Sequence, residues 1–134
     1  PLATLVTPNL DEVRLITGIE VVDAETQRTA ARELHALGPQ WALVKGGHLR
    51  SSARSPDLLF DGSQFHEFDS PRIDTRNDHG AGDTLAAAIA SALAHGYQVP
   101  DAVAFAKRWV TESLRAAYPV GQGWGPVSAL FRLG

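Results

Sequence analysis

The motif Gly80-Ala81-Gly82-Asp83 runs through Thr84 straight into the apolar segment LAAAIASALA at residues 85–94. Two glycines flanking a small residue, ahead of a helix-forming run, predict a helix N-terminus with bare backbone N–H groups. Such amides have no intrahelical acceptor, and the positive end of the helix dipole favours an anion beside them, most often phosphate. Asp83 is the unexpected member, because a carboxylate repels phosphate unless it has a chemical task or a metal to share. Taking the proton of a substrate hydroxyl during phosphoryl transfer is such a task. The same residues also fit a plain reading, with Asp83 as a capping acid and the glycines as an ordinary turn. The stretch alone leaves both open.

The remaining sequence alternates short apolar runs with helical patterns. Residues 2–6 (LATLV) are β-prone and stop at Thr7-Pro8-Asn9, ahead of a short helical pattern over residues 10–17 closed by Gly18. Proline sets the turn, and glycine suits the left-handed position after a helix. A second helix is expected over 24–37, with Gly38 as its stop. Trp41-Ala42-Leu43-Val44 is a continuous apolar run of the kind found in strands covered on both faces, and it ends in Lys45-Gly46-Gly47-His48. Residues 57–60 and 64–68 read as two strands joined by the hairpin signal Asp61-Gly62. Behind the glycine motif, a further helix is expected from about Pro100-Asp101 to Tyr118-Pro119, followed by the glycine-rich tail at 121–127 (GQGWGPV). Strands alternating with helices predict an α/β layered fold with a mainly parallel sheet and a small antiparallel hairpin, in which ligands bind at the carboxyl ends of strands.

Three polar features fall at such ends. Asn9 and Glu12, three apart at a turn and helix start, could hold a hydrated Mg²⁺, which takes one or two carboxylates plus phosphates; equally, they fit a reciprocal capping box. Lys45 follows a buried-looking strand, and Gly46 beside it leaves room for a ligand, so a phosphate contact and a solvent-facing lysine are both open. The third feature is the glycine motif. His48 and His79 lack a second ligand at metal spacing and read as turn histidines. The tail fits either a loop closing over a flat ring or a plain connector.

Bulk properties exclude several function classes. With 134 residues, a formal charge of -3 and no basic run, the chain lacks the positive surface that supplies most nucleic-acid affinity. The absence of cysteine excludes disulfides, thiolate metal sites and cysteine nucleophiles. No apolar run approaches the roughly 20 residues of a membrane span, and the expectation is a cytoplasmic protein with small-molecule partners.

Taken in order, Thr7-Pro8-Asn9 with Glu12, Leu43-Val44-Lys45-Gly46-Gly47-His48, the motif at 79–85 with its alanine-rich helix, Ala106-Lys107 and the tail at 121–127 resemble the C-terminal half of a ribokinase-superfamily enzyme. The nearest branch is the hydroxymethylpyrimidine/phosphomethylpyrimidine kinases of thiamine biosynthesis. The resemblance implies an ATP- and Mg²⁺-dependent kinase of ribokinase-like fold. It places Asn9 and Glu12 in the Mg²⁺ and phosphate region and Lys45 and Gly46 at the nucleotide. The amides of Gly80, Ala81, Gly82 and Asp83 form the anion hole, Asp83 is the base, and Val103 and Lys107 lie near the nucleotide. Two residues depart from the branch: Asp83, the residue of pyridoxal, ribose and adenosine kinases, stands where the branch often has Cys, and Trp124 stands where it commonly has His. Pyridoxal kinase is therefore the enzyme-class alternative, and a non-catalytic nucleotide-binding half-domain is the alternative of another class.

Family members are about twice this length, so residues 1–134 are expected to form the nucleotide-binding and catalytic part of one kinase domain whose acceptor pocket lies elsewhere. The first strand would then present an unpaired edge, and unpaired edges and apolar patches recruit other chains. The 134-residue chain on its own should form homo-oligomers or associate with the N-terminal half, and should lack vitamin kinase activity. Sedimentation and a coupled ADP-release assay check both parts; a stable monomer that phosphorylates hydroxymethylpyrimidine contradicts them.

Overall fold

The computed structural model describes residues 2–46, 56–69, 71 and 73–133. The chain divides into two compact units, Pro1–Asp69 and Ser70–Gly134.

The first unit contains the whole sheet. Its strands β1 (Leu5–Val6), β2 (Trp41–Val44), β3 (Asp57–Phe60) and β4 (Phe65–Phe68) pair in sequence order. β1 and β2 are parallel, with Leu5 opposite Trp41, whereas β2–β3 and β3–β4 are antiparallel. The α/β layers and the hairpin expected from the sequence are present, but the sheet is mixed and parallel pairing is confined to β1–β2. β1 is also shorter than the β-prone run, covering only its last two residues. The hairpin turn is held by Asp61, whose carboxylate accepts from the N–H groups of Ser63 and Gln64 at 2.7 and 2.6 Å. These bonds to the charged form hold the Asp61 carboxyl below the usual carboxylate range.

Helices α1 (Leu10–Thr17) and α2 (Ala24–Ala36) cover one face. Val13, Ala30, Ala31 and Leu34 pack there with Ala42, Val44, Leu58 and Phe60. Leu43 and Leu59, opposite one another in the register and both buried, point to the other face. Both helices begin with reciprocal caps, Asn9 with Glu12 and Asp23 with Thr26. α1 ends at Gly18, whose φ of 74° is the left-handed conformation expected there.

Gln27, almost fully buried on α2, donates through Nε2 to the carbonyls of Val44 and Pro56, both at 3.1 Å. It thereby ties the end of β2 to the residue preceding β3. Gly46 completes this junction: its N–H donates to Asp57 Oδ1 at 2.9 Å, and a Cβ on Gly46 would overlap the Pro56 carbonyl oxygen.

The second unit is built on α3 (Ala81–Ala94) and α4 (Val99–Arg115), which pack on one another. Leu85, Ile89 and Ala92 of α3 and Val99, Ala102, Val103 and Ala106 of α4 are the buried apolar residues of this pair. Phe105 and Trp109 on α4 and Phe131 beyond it form a run of aromatic rings, with successive centroids 5.9 and 4.9 Å apart. No helix among the described residues is long and apolar enough to cross a membrane.

Gln27→Leu keeps most of the volume but leaves two carbonyls at the β2–β3 junction without their donor. It should cost roughly 1–3 kcal/mol, read as a lower urea midpoint at unchanged slope. No change in midpoint would mean that the junction holds without this side chain.

Candidate functional site

The candidate residues divide between the two units. In the first, parallel pairing brings the carboxyl ends of β1 and β2 side by side, and the Lys45 N–H reaches the Pro8 carbonyl at 3.5 Å. Asn9 and Glu12 follow Pro8 directly, so the two polar features read from the sequence leave adjacent strand ends. Asn9 and Glu12 form the capping box: the Asn9 N–H donates to Glu12 Oε2, and the Glu12 N–H to Asn9 Oδ1, each at 2.8 Å. The cap engages one oxygen of each side chain. Lys45 is partly exposed, whereas Gly46 is buried, and the overlap with Pro56 explains its glycine by close backbone approach. Gly47 and His48 lie outside the described residues.

In the second unit the glycine motif is part of the helix itself. α3 begins at Ala81, four residues before the apolar run, so Ala81, Gly82 and Asp83 form its first turn and Gly80 is the N-cap. Gly80 has a φ of 85°, which a side chain would strain, and the position of its missing Cβ is open, with nothing within 4 Å. No side chain caps this end. The Ala81 N–H turns back to the Asp78 carbonyl at 3.0 Å, and the Thr84 N–H makes the first helical bond to Gly80 at 2.9 Å. Between them, the amides of Gly82 and Asp83 have no acceptor among the described residues. Of the four amides proposed from the sequence, Ala81's is consumed internally, while those of Gly82 and Asp83 stay available to an anion. The exposed Asp83 side chain forms no hydrogen bond among the described residues, so it does not cap the helix. It lies at a groove of about 480 Å³ lined also by Thr84, Ala87, Ser91, Phe105 and Trp109, a size within the range of small-molecule sites.

Val103 is fully buried against α3 and acts as core, and Lys107 lies one turn further along α4, partly exposed. No group of three or more His, Cys, Asp or Glu side chains among the described residues is arranged to hold a metal ion by itself.

Sequence reasoning left the tail undecided between ring cover and connector. The structure gives it a local task. The Gly125 N–H donates to the Arg76 carbonyl, and its carbonyl accepts from His79, both at 3.2 Å; the Val127 N–H donates to the His79 carbonyl at 3.1 Å. The tail thus pairs with the loop immediately ahead of Gly80. Asn77 sits against Gly125. Gly125 is buried, while Trp124 beside it is 71% exposed.

Comparison with known proteins shows the family of the chain. The family model described as phosphomethylpyrimidine kinase matches residues 1–128. The hydroxymethylpyrimidine/phosphomethylpyrimidine kinase of Mycobacterium leprae is 74% identical over 98% of this chain and 49% of its own length. Among solved structures, a Bacillus subtilis pyridoxal kinase in an ADP complex superposes with a TM-score of 0.91 at 38% identity, covering 100% of this chain and 51% of that one. A Staphylococcus aureus pyridoxal kinase in complex with AMP-PCP and pyridoxal gives 0.92 at 33% identity, over 96% and 48%. The chain spans about half the length of the curated relatives it matches, its fold is ribokinase-like, and it belongs to the phosphomethylpyrimidine kinase family.

Proposed function

We propose that this chain carries the phosphoryl-transfer machinery of an ATP-dependent kinase. In the whole protein it would phosphorylate the hydroxymethyl group of 4-amino-5-hydroxymethyl-2-methylpyrimidine, and then the resulting monophosphate, in cytoplasmic thiamine biosynthesis. Residues 1–134 are the nucleotide-binding and catalytic part of one kinase domain. The observation that carries the reading is a single helical turn presenting both a carboxylate outside any cap, Asp83, and two amides without an acceptor, Gly82 and Asp83. That turn lies in a chain of the phosphomethylpyrimidine kinase family.

Asp83 accepts the hydroxyl proton as the substrate oxygen bonds to the γ-phosphorus. The bond from that phosphorus to the β–γ bridging oxygen breaks, and ADP leaves. The amides of Gly82 and Asp83, at the positive end of α3, hold the charge on the transferring group. Lys45 offers a point charge to the nucleotide phosphates, with Gly46 keeping the junction beneath it tight. Val103 is a buried support for the helix that carries Lys107 toward the nucleotide.

Mg²⁺ fits the residues present. It keeps several waters and takes few protein ligands, and Glu12 has one carboxylate oxygen in the cap and a second outside it, with Asn9 beside it. The ion would neutralise phosphate charge. Pyridoxal is the alternative acceptor, favoured by the close superposition on two pyridoxal kinases.

In the whole protein, Asp83→Asn should lower kcat by about 10²–10⁴-fold, the usual loss of a general base, while ATP affinity stays within a few-fold. A coupled ADP-release assay and an ATP titration read the two quantities. Wild-type kcat in this variant would remove Asp83 from the role of base.

Lys45→Ala should weaken MgATP binding more than acceptor binding, and added salt should narrow its gap from wild type, since screening erases a charge–charge contact. Equal losses for both ligands, or none, would make Lys45 a solvent-facing residue.

A further inference from the structure

We infer that Gly125 is a positioning residue which, by lying against Asn77 without a Cβ between them, lets the tail fix the backbone from Arg76 to Asp83 and so aim the first turn of α3. The inference rests on the kinase reading for its catalytic consequence but not for its structural part.

The loop ahead of Gly80 is held almost entirely by main-chain bonds. Its partners are the tail on one side, through Arg76, His79, Gly125 and Val127, and the turn itself on the other, through Asp78 and Ala81. The Asn77 N–H is further engaged by Thr75 Oγ1 at 3.0 Å. The tail is anchored independently of the loop. The Ser128 N–H donates to the Ser113 carbonyl of α4 at 3.1 Å, Phe131 lies on Trp109 with ring centroids 4.9 Å apart, and Arg132 stacks over the Trp109 ring at 5.2 Å. The loop is therefore registered against a strip fixed to α4, not against solvent.

The register leaves no room at one point. A Cβ on Gly125 would overlap Asn77 Oδ1 and come within 2.8 Å of its Cγ and 3.2 Å of its Cβ. Asn77 in turn lies three residues before Gly80, whose left-handed backbone starts the helix. An added methyl at Gly125 collides with Asn77 Oδ1 and Cγ, so either that side chain turns away or the loop and tail shift apart, and the bonds to Arg76 and His79 carry such a shift toward Gly80. Reacting groups displaced by about 1 Å can lose about 10²-fold in rate.

The experiment uses the whole protein with Gly125→Ala, Asn77→Ala and the double variant. Amide hydrogen exchange at His79, Ala81 and Val127 and the kcat and KM for ATP and acceptor are measured for each. Gly125→Ala should speed exchange at these amides and lower kcat about 10²-fold with KM for ATP within a few-fold. The double variant, whose nearest side-chain neighbour is then the Cβ at residue 77, should restore slow exchange and most of kcat. Unchanged exchange in Gly125→Ala, or a double variant as impaired as the single, overturns the inference. If Gly125→Ala does not fold, folding of the double variant is the expected rescue, and its failure to fold is the overturning result. A wild-type protein inactive on every acceptor would sink the kinase reading, while the exchange pattern would still decide the contact.

Discussion

The chemistry available to the second unit depends on where α3 begins, and a glycine with positive φ decides that. Because Gly80 takes the left-handed conformation, the chain turns in one step from the loop into the helix. The Ala81 amide folds back onto Asp78, and the next two amides have no acceptor among the described residues. An oxygen-bearing side chain at the N-cap would ordinarily add about 0.5–2 kcal/mol by bonding those amides. α1 and α2 take that stabilisation with reciprocal caps, whereas α3 forgoes it. Asp83 at the third helical position is close enough to favour the dipole yet is left out of any cap. Helix ends that break the local rule in this way are where function is expected, and the bonds from the tail hold the loop that α3 itself does not cap.

The first unit shows the opposite relation between cap and site. Asn9 and Glu12 were weighed from the sequence as either a cap or a metal pair, and the structure contains the cap. The two readings draw on different atoms, because a carboxylate can bond an amide through one oxygen and face an ion with the other. The cap also fixes both side chains before any ligand arrives, which lowers the ordering cost of binding. Parallel pairing of β1 with β2 supplies the rest, since only parallel neighbours bring the end carrying Asn9 beside the end carrying Lys45.

Legibility in the sequence followed the range of the interactions involved. β2 and the hairpin were readable because apolar runs and Asp-Gly turns are local signals, and the bounds of α1 and α2 followed from caps and glycine stops within a few residues. The helix N-terminus at the glycine motif was readable, although Ala-Gly-Asp has poor helix propensity, because two glycines ahead of an apolar helical run are a local signal; the left-handed conformation of Gly80 sets the first turn at Ala81. β1 shrank because pairing with β2 supports only two of its residues. The reasons for Gly46 and Gly125 were not readable, because each depends on a single atom, the Pro56 carbonyl or Asn77 Oδ1, brought close by the fold. A glycine-rich tail signals freedom of backbone, but nothing in its composition shows that the freedom is used to approach a loop far away in sequence.

The same chain is 74% identical to a hydroxymethylpyrimidine/phosphomethylpyrimidine kinase and superposes closely on pyridoxal kinases. The physics of the proposed site accounts for both. In the proposed reading its groups would act on a phosphoryl group and on the hydroxyl that receives it: open amides for charge, a carboxylate for the proton, a lysine for the nucleotide phosphates. None of these roles requires contact with the ring that bears the hydroxyl, and both vitamins present the same hydroxymethyl substituent on an aromatic ring. A site built this way transfers between acceptors without change in its own residues, so selection for a new ring need not disturb the helix end or the loop that aims it. Asp83 fits that view, because a carboxylate as base serves either acceptor and leaves ring discrimination to residues that touch the ring.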